Sequence, residues 1–221
     1  MDAAGFTAAA QAAFRAAADP DRAPAMAAYM RGHFPFLGIT RPARDALQRP
    51  LVRALEPAQA PAAALRLWLL PEREFQYLGA DALRHHIGAQ PAEVVRDLEV
   101  LITTKPWWDT VDTLAARCVG PLVAAHPALV AVMDDWIGAQ DIWLARTAIL
   151  HQLGYGPRTD PERLFAFCAR RAADREFFIR KAIGWALRQY ARTDPGAVRG
   201  FVEANRGTLS GLSVREATRH L

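Results

Sequence analysis

The segment TTKPWWDTVDTLA, which starts at Thr103, places two tryptophans and two aspartates within six consecutive positions. Thr103 and Thr104 are typical helix caps and Pro106 fits a first helical turn, so the segment predicts a helix from Pro106 onward. At 100° per residue, Trp108 and Asp112 share one face of that helix. A carboxylate there can stabilise a cation or direct a water molecule. The structural alternative is a half-buried tryptophan beside an aspartate that pairs with a neighbouring helix.

A second candidate is Arg146, in the segment DIWLARTAILHQL. It shares a predicted helix face with Ile142 and Ile149, so a cation interrupts an apolar stripe. Such a cation must find an anion, because an unpaired buried charge is too costly. The partner is either a protein carboxylate or a bound phosphate, and Arg146 could use both if Asp112 faces it across a groove.

A third candidate is a stripe along the segment FFIRKAIGWALRQYAR, residues 177–192. On a helix, Lys181, Trp185, Arg188 and Arg192 lie apart from the apolar face of that segment. A tryptophan among three cations is poorly placed for a core. The arginine stems could cover the ring, or the ring could meet a polyanion while the cations hold phosphates.

Helices must position these side chains, because nearly the whole chain carries apolar residues at three- and four-residue spacing. Short breaks with Pro, Gly, Asp or Thr separate the helical segments, and no alternating β-branched run predicts a strand. We therefore predict a single all-α domain over residues 1–221, an α–α superhelix of HEAT-like or armadillo-like antiparallel helix pairs. Its stacked pairs would give a concave face that could follow a duplex. A compact all-α bundle is the alternative.

Composition predicts a folded chain with an uneven charge. Of the 221 residues, 52% are hydrophobic and 23% charged, which is typical of a globular protein. Residues 1–145 hold 13 basic and 16 acidic side chains, whereas residues 146–221 hold 14 basic and 7 acidic ones. Nearly all the bases are arginine, so the basic C-terminal third suits a polyanion, although arginine also serves solubility alone.

Several classes of protein are disfavoured by the sequence. Two cysteines, Cys118 and Cys168, cannot form a disulfide framework or a four-ligand zinc site, which favours a reducing, cytoplasmic compartment. No apolar run long enough to span a membrane and no signal peptide is present. His85 and His86 adjoin without a third ligand at metal spacing, so we expect no metal site. The remaining histidines are isolated: His33, His126, His151 and His220.

Five segments together resemble the AlkD family of DNA glycosylases. The matching segments are KPWWDTVDTLA, WLARTAILHQL, REFFIRKAIGWALRQYARTDP, VRGFVEANRGTLSGLSVREA and the N-terminal YMRGHFPFLGITRPAR. The resemblance runs from about Tyr29 to Glu216. It implies HEAT-like repeats around a basic concave groove, and a monofunctional glycosylase that removes N3- and N7-alkylated purines from double-stranded DNA. It also implies no cofactor or metal, and a monomer can embrace a duplex in this way.

The same resemblance assigns roles to individual residues. Asp112 matches the catalytic carboxylate, Trp108 and Trp185 match two active-site aromatics, and Arg146 matches the active-site arginine. The DNA-binding residues expected from the resemblance and the basic stripe are Tyr29, Lys105, Lys181, Arg188, Arg192 and Arg215. Two positions depart from the family pattern: Pro106 replaces a small polar residue, and Ala145 replaces a second basic residue that would strengthen backbone binding.

The implied chemistry needs only one carboxylate. An N7- or N3-alkylated purine is already cationic and departs as a neutral base, so no strong general acid is required. Asp112 would stabilise the oxocarbenium-like sugar and orient the attacking water. A non-catalytic helical-repeat DNA-binding or scaffold protein is the alternative, but a carboxylate in a phosphate-binding groove repels its ligand unless it does chemistry.

Overall fold

The structure is a computed structural model that describes residues 1–219 and 221, so His220 lies outside the described residues. Across this part of the chain all regular structure is helical and no β-strand occurs. The chain divides into two compact units, Met1–Lys105 and Pro106–Leu221. A single domain over the whole chain stays a prediction, and the two units are described separately.

The first unit contains six α-helices, most of which were predicted from apolar spacing. They are α1 (Ala3–Ala16), α2 (Ala23–Tyr29), α3 (Arg41–Ala54), α4 (Ala60–Trp68), α5 (Arg73–His86) and α6 (Val95–Thr103), with 3₁₀ turns at Pro57–Gln59, Ile87–Ala89 and Ala92–Val94. Helix α4 packs on α1 and α5. Gly79 allows α5 to lie close against α4, because a Cβ there would lie 3.1 Å from the Trp68 ring.

Two fully buried ions tie the segment after α2 to α5. The Glu74 carboxylate accepts hydrogen bonds from the backbone N–H groups of Leu37, Gly38 and Ile39. The guanidinium of Arg73 lies 3.8 Å from the centre of the Phe34 ring. Buried charges of this kind are stable only with such partners, so they fix the path of this segment.

The described residues of the second unit form eight further α-helices. They are α7 (Trp108–Leu114), α8 (Gly120–Ala125), α9 (Val130–Trp136), α10 (Ile142–Leu150), α11 (Pro161–Arg170), α12 (Phe177–Tyr190), α13 (Pro195–Ala204) and α14 (Gly211–Ala217), with 3₁₀ turns at Pro127–Leu129, His151–Gly154 and Gly156–Arg158. Helix α10 is central: every residue except Ile142 is buried, and α7, α9 and α12 pack against it. Helix α12 in turn packs along α14.

The predicted start of the WWDTVD helix is wrong by a few residues. Thr103 ends α6 instead of capping α7, and Trp107 is the N-cap of α7 with an extended backbone. The positive φ of 48° at Lys105 turns the chain between the two helices. The threonines therefore do not cap α7, although threonine is a common N-cap residue. The positive φ at Lys105 could not be predicted from its sequence, because lysine rarely adopts this conformation.

Helix α7 ends in a π-helical turn, Ala115–Val119, which leads into α8. Gly120 follows this turn, and a Cβ at Gly120 would meet the His151 carbonyl oxygen at 2.2 Å. Only glycine allows this close passage of α8 beside the end of α10. Single π turns inside helices are frequent near functional sites, and this one begins three residues after Asp112.

Candidate active site

The tryptophan doublet is divided between packing and an open surface, as its spacing predicted. The Trp107 ring packs against Phe178 and Trp143, with ring centres 5.0 and 5.8 Å apart. Trp108 is the first residue of α7 and faces a cavity of about 260 Å³ in the second unit. One turn later, Asp112 lines the same cavity.

The cavity brings together all four predicted catalytic side chains from three helices. Asp112 and Trp108 come from α7, Arg146 from α10 and Trp185 from α12. The rest of its lining is aromatic or charged: Phe177, Phe178, Lys181, Arg188 and Glu216. The resulting wall combines flat rings with both signs of charge.

Arg146 binds the Asp112 carboxylate through two parallel hydrogen bonds. Its Nε donates to Oδ1 at 2.7 Å and its Nη2 donates to Oδ2 at 2.9 Å. The Nη1 group donates to the backbone oxygen of Phe178. The Arg146 side chain is only 5% exposed and that of Asp112 17%. The protein-carboxylate partner predicted as one alternative for Arg146 is therefore the observed one, and this bidentate contact fixes the plane of the carboxylate.

Burial raises the pKa of Asp112 above the ordinary range of a carboxyl group. The hydrogen bonds and positive charge of Arg146 oppose this shift, and the negative charge of Asp109 adds to it. The charged form of Asp112 is thus costly to desolvate but is held by an ideal partner. A carboxylate in this state interacts strongly with any cation that enters the cavity.

Three aromatic rings anchor the backbone that receives the Nη1 hydrogen bond of Arg146. Phe178 lies with its ring centre 4.9 Å from Trp143 and 5.0 Å from Trp107. This cluster holds the first turn of α12 against α7 and α10. Next to it, Phe177 lines the cavity while 56% exposed, so it forms an aromatic rim.

Glu216 bridges the two cations that flank Trp185 on α12. Its carboxylate lies 3.0 Å from Lys181 Nζ and 2.6 Å from Arg188 Nη1. The hydrogen bond and charge of Lys181, and then those of Arg188, lower the pKa of Glu216, while desolvation opposes the shift. Two carboxyl groups of one cavity thus have pKa values shifted in opposite directions.

Comparison with known proteins identifies the family of this chain. The family described as DNA alkylation repair enzyme matches residues 10–221. The chain belongs to that family. A solved structure described as a predicted DNA alkylation repair enzyme from Enterococcus faecalis is 30% identical, with a TM-score of 0.83 over 92% of this chain and 96% of that chain. No protein with curated annotation matches. The AlkD resemblance and the predicted all-α, helical-repeat fold class are confirmed.

The predicted DNA-binding residues of this alkylation repair enzyme occupy different surroundings. Lys181 and Arg188 line the cavity, and Arg192 and Arg215 are exposed on the second unit. In the first unit Tyr29 is 70% exposed. Their role in DNA binding stays a prediction.

Lys105 is more constrained than a surface lysine. Its ammonium donates to the backbone oxygens of Trp68 and Leu70, each at 2.7 Å. Burial and the charge of Arg73 lower the pKa of Lys105. These bonds close the end of α4 and the turn that follows it, so the residue also has a structural function that its sequence position did not reveal.

A second opening adjoins the cavity of this family member. A cleft of about 290 Å³ shares Asp112 and Trp185 with it and is otherwise lined by the following side chains and glycine: Thr113, Ala116, Arg117, Leu153, Gly154 and Gln189. The carboxylate is therefore reached from two sides. Ala145, one of the two predicted departures from the family pattern, is fully buried in α10.

Sequence reasoning missed three residues that line the cavity: Phe177 and Phe178 on α12, and Glu216 on α14. Glu216 lies on α14, a seven-residue helix that was not among the predicted ones, although Ser210 caps it by accepting from Ser213 N–H at 3.0 Å. That capping serine was the available signal. Phe177 and Phe178 were assigned to packing or left aside, because periodicity does not show which aromatic reaches a cavity mouth.

Within the described part of the chain, no three His, Cys, Asp or Glu side chains form a group that could hold a metal ion. The adjacent His85 and His86 rings contact each other edge-on at 4.6 Å, and His86 Nε2 bonds the Val52 carbonyl. Cys118 and Cys168 are both buried without a disulfide between them. Among the described helices, none is long and apolar enough to cross a membrane.

Proposed function

We propose that this DNA alkylation repair enzyme hydrolyses the N-glycosidic bond of N3- and N7-alkylated, cationic purines in duplex DNA. The observation that carries the proposal is the Asp112 carboxylate, held by Arg146 in a cavity walled by Trp108 and Trp185. A fixed, poorly solvated carboxylate beside flat rings and cations suits a reaction that develops positive charge next to phosphate.

The reaction begins with cleavage of the bond between C1′ and the purine nitrogen. The bonding electron pair moves to the cationic base, which leaves neutral, and positive charge develops on the sugar. Asp112 lowers the energy of that cation electrostatically. A water molecule then adds to C1′ and loses a proton to the carboxylate or to solvent, which leaves an abasic site.

The neighbouring side chains have separable functions in this proposal. Arg146 is a positioning residue, because its guanidinium is buried against Asp112 and Phe178. Trp108 and Trp185 would lie against the deoxyribose, exclude water and attract the developing cation. Lys181 and Arg188 would hold the phosphates on either side.

The competing function is a non-catalytic helical-repeat protein that binds DNA or acts as a scaffold. Such a protein would use the cations of α12 but would gain nothing from a carboxylate that repels phosphate. Here the Nε and Nη2 groups of Arg146 both donate to Asp112 and hold its carboxylate in place. A carboxylate held in this way favours a catalytic function over DNA binding alone.

The test is incubation of the purified protein, in the presence of EDTA, with duplex DNA that carries a single N7-methylguanine. We expect free 7-methylguanine and a matching quantity of abasic sites. Salt-sensitive binding without release, repeated on N3-methyladenine and a bulkier adduct, would instead support the DNA-binding protein. We further propose that the protein acts as a monomer on DNA in the reducing cytoplasm.

A further inference from the structure

Asp112 can be reached from a second direction, through the adjoining cleft of about 290 Å³, here called the side cleft. The side cleft shares Asp112 and Trp185 with the cavity. Its other lining residues are mostly small, polar or aliphatic, with one arginine: Thr113, Ala116, Arg117, Leu153, Gly154 and Gln189. The cations proposed to hold phosphate, Lys181 and Arg188, line only the cavity. The two openings onto the carboxylate therefore differ in their chemistry.

The side cleft is wide enough for solvent to reach Asp112. One water molecule needs only about 10–15 Å³ of such space, so the side cleft has room for several. Its width depends on Gly154, where an added Cβ would have one neighbour within 4 Å, the Ala116 carbonyl oxygen at 3.8 Å. A larger side chain at Gly154 would therefore have room to occupy the opening without moving the backbone.

The Asp112 carboxylate keeps hydrogen-bonding capacity after it has bound Arg146. A carboxylate offers about four acceptor positions, and the Nε and Nη2 groups of Arg146 use one on each oxygen. Each oxygen can therefore accept one more hydrogen bond. The carboxylate needs that capacity to orient a water molecule and to take its proton.

Two polar side chains of the side cleft can hold a water molecule beside Asp112. Gln189 lies one turn after Trp185 on α12, and its amide makes no hydrogen bond within the described part of the chain. Its donor and its acceptor are both available to solvent. Thr113 directly follows Asp112 on α7. The Thr113 hydroxyl donates to the Asp109 carbonyl oxygen at 3.5 Å, a weak hydrogen bond that water can replace.

We infer that the side cleft is the entrance and the binding site of the nucleophile. This role rests on the proposed function, in which the deoxyribose lies against Trp108 and Trp185 and fills the cavity. With the cavity filled, the side cleft still connects Asp112 to solvent. Water held by Gln189 and Thr113 then attacks C1′ on the face opposite the departing base. Attack from that face inverts the configuration at C1′.

The same geometry predicts a second reaction, transfer of the deoxyribosyl group to a small alcohol. Methanol presents the same O–H group to Asp112 and is larger than water by one methyl group, so the side cleft has room for it. The C1′–N bond breaks with its electron pair on the purine, the methanol oxygen bonds to C1′, and the methanol proton passes to Asp112 or to solvent. The product is the α-methyl glycoside, whereas a free oxocarbenium ion in solution is attacked on both faces.

The experiment is a single-turnover reaction of the full-length protein, in buffer containing methanol, with duplex DNA that carries one N7-methylguanine. Free 7-methylguanine, abasic sites and each methyl glycoside anomer are quantified. We expect the α-methyl glycoside from the wild type. Gly154→Leu narrows the side cleft and should lower the ratio of methyl glycoside to abasic site about tenfold, as expected when a site discriminates by one carbon. The control Gly200→Leu adds the same side chain at an exposed position of α13, where no atom lies within 4 Å of the new Cβ, and should keep the wild-type ratio.

Gln189→Leu tests the amide separately and carries the test if Gly154→Leu fails to fold. Without methanol, the rate of base release should fall about 3- to 10-fold, the contribution of one hydrogen bond, while duplex affinity is retained. With methanol, the share of methyl glycoside should rise, because water has a second O–H group for the Gln189 amide and methanol has none. A merely structural glutamine would leave this product ratio unchanged.

The outcomes separate this role of the side cleft from the glycosylase proposal. Base release without methyl glycoside, a mixture of both anomers, or unchanged product ratios in Gly154→Leu and Gln189→Leu would overturn the inference and leave the glycosylase proposal intact. An equal change of the ratio in Gly200→Leu would also overturn it. If the wild type releases no base, the glycosylase proposal fails, and the nucleophile site fails with it.

Discussion

At the scale of single residues, the site depends on how one carboxylate is charged and held. The sequence predicted that Arg146 must meet an anion, because a cation within an apolar stripe needs a partner, and Asp112 is that partner. What the sequence could not give is the bidentate geometry, or the pKa shift that burial imposes. Both depend on how far α7 and α10 close on each other.

The raised pKa of Asp112 predicts an acid limb in the rate of base excision. In the proposed mechanism ionised Asp112 is the active form, and a raised pKa means that protonation begins at a higher pH than for an ordinary aspartate. The rate should therefore fall on acidification at a pH above the usual value of about 3.9. Single-turnover rates on N7-methylguanine, whose charge is fixed, measure this limb after subtraction of uncatalysed depurination. A rate that stays flat down to the ordinary aspartate range would refute it.

Removal of Arg146 should destabilise the protein strongly. In Arg146→Ala, a largely buried carboxylate loses its partner, and the expected loss in free energy of unfolding is about 3–5 kcal/mol. The double variant Asp112→Ala/Arg146→Ala should recover part of that loss, because no charge remains buried. Urea unfolding at neutral pH measures both. Equal stability of the single and double variants would contradict the expected cost of a buried Asp112 carboxylate without its partner.

At the scale of elements, most helices were predictable from the spacing of their apolar residues, and α14 was not. Helix α12 followed from its spacing, whereas α14 has only seven residues and too few apolar positions to show a period. Glu216 was missed with it, since its role depends on α14 lying beside Lys181 and Arg188. The positive φ at Lys105 could not be predicted from the sequence either, so the predicted start of α7 was wrong.

The packing of α12 against α14 should not tolerate one added methyl group at Gly184. A Cβ on Gly184 would lie 2.4 Å from Glu216 Cβ and 3.0 Å from the Ser213 carbonyl oxygen. We expect Gly184→Ala to lower the free energy of unfolding by about 1–3 kcal/mol through overpacking. Gly200→Ala in α13, where no atom lies within 4 Å of the new Cβ, should raise it by about 0.5–1 kcal/mol. Thermal or urea unfolding of the two variants tests this opposite sign, and a stabilised Gly184→Ala would contradict the packing.

Glu216 should restrain the affinity of the cavity for ordinary DNA. Glu216→Gln releases Lys181 and Arg188 from their shared carboxylate, so undamaged duplex should bind several-fold more tightly and with a steeper salt dependence. Base release per bound complex should fall, because the two cations lose their fixed positions beside Trp185. Fluorescence anisotropy and single-turnover kinetics measure the two effects. A purely structural glutamate would instead weaken binding and stability together.

At the scale of the whole molecule, counting charged side chains along the sequence located only some of the basic surfaces. The count attributed polyanion binding to residues 146–221, and the cations of the cavity do lie there. It overlooked the first unit, where folding brings Arg41, Arg49 and Arg84 together around one cleft. The net charge of a segment cannot show how folding groups the charged side chains within it.

The central claim is that Asp112 performs the chemistry of base excision. Its most direct test compares single-turnover release of 7-methylguanine by Asp112→Asn with release by Asp135→Asn, which removes an exposed carboxylate of the same unit. We predict that Asp112→Asn loses about 10²–10⁴-fold in rate while its duplex affinity is retained, and that Asp135→Asn matches the wild type. Release by Asp112→Asn at close to the wild-type rate would contradict the account.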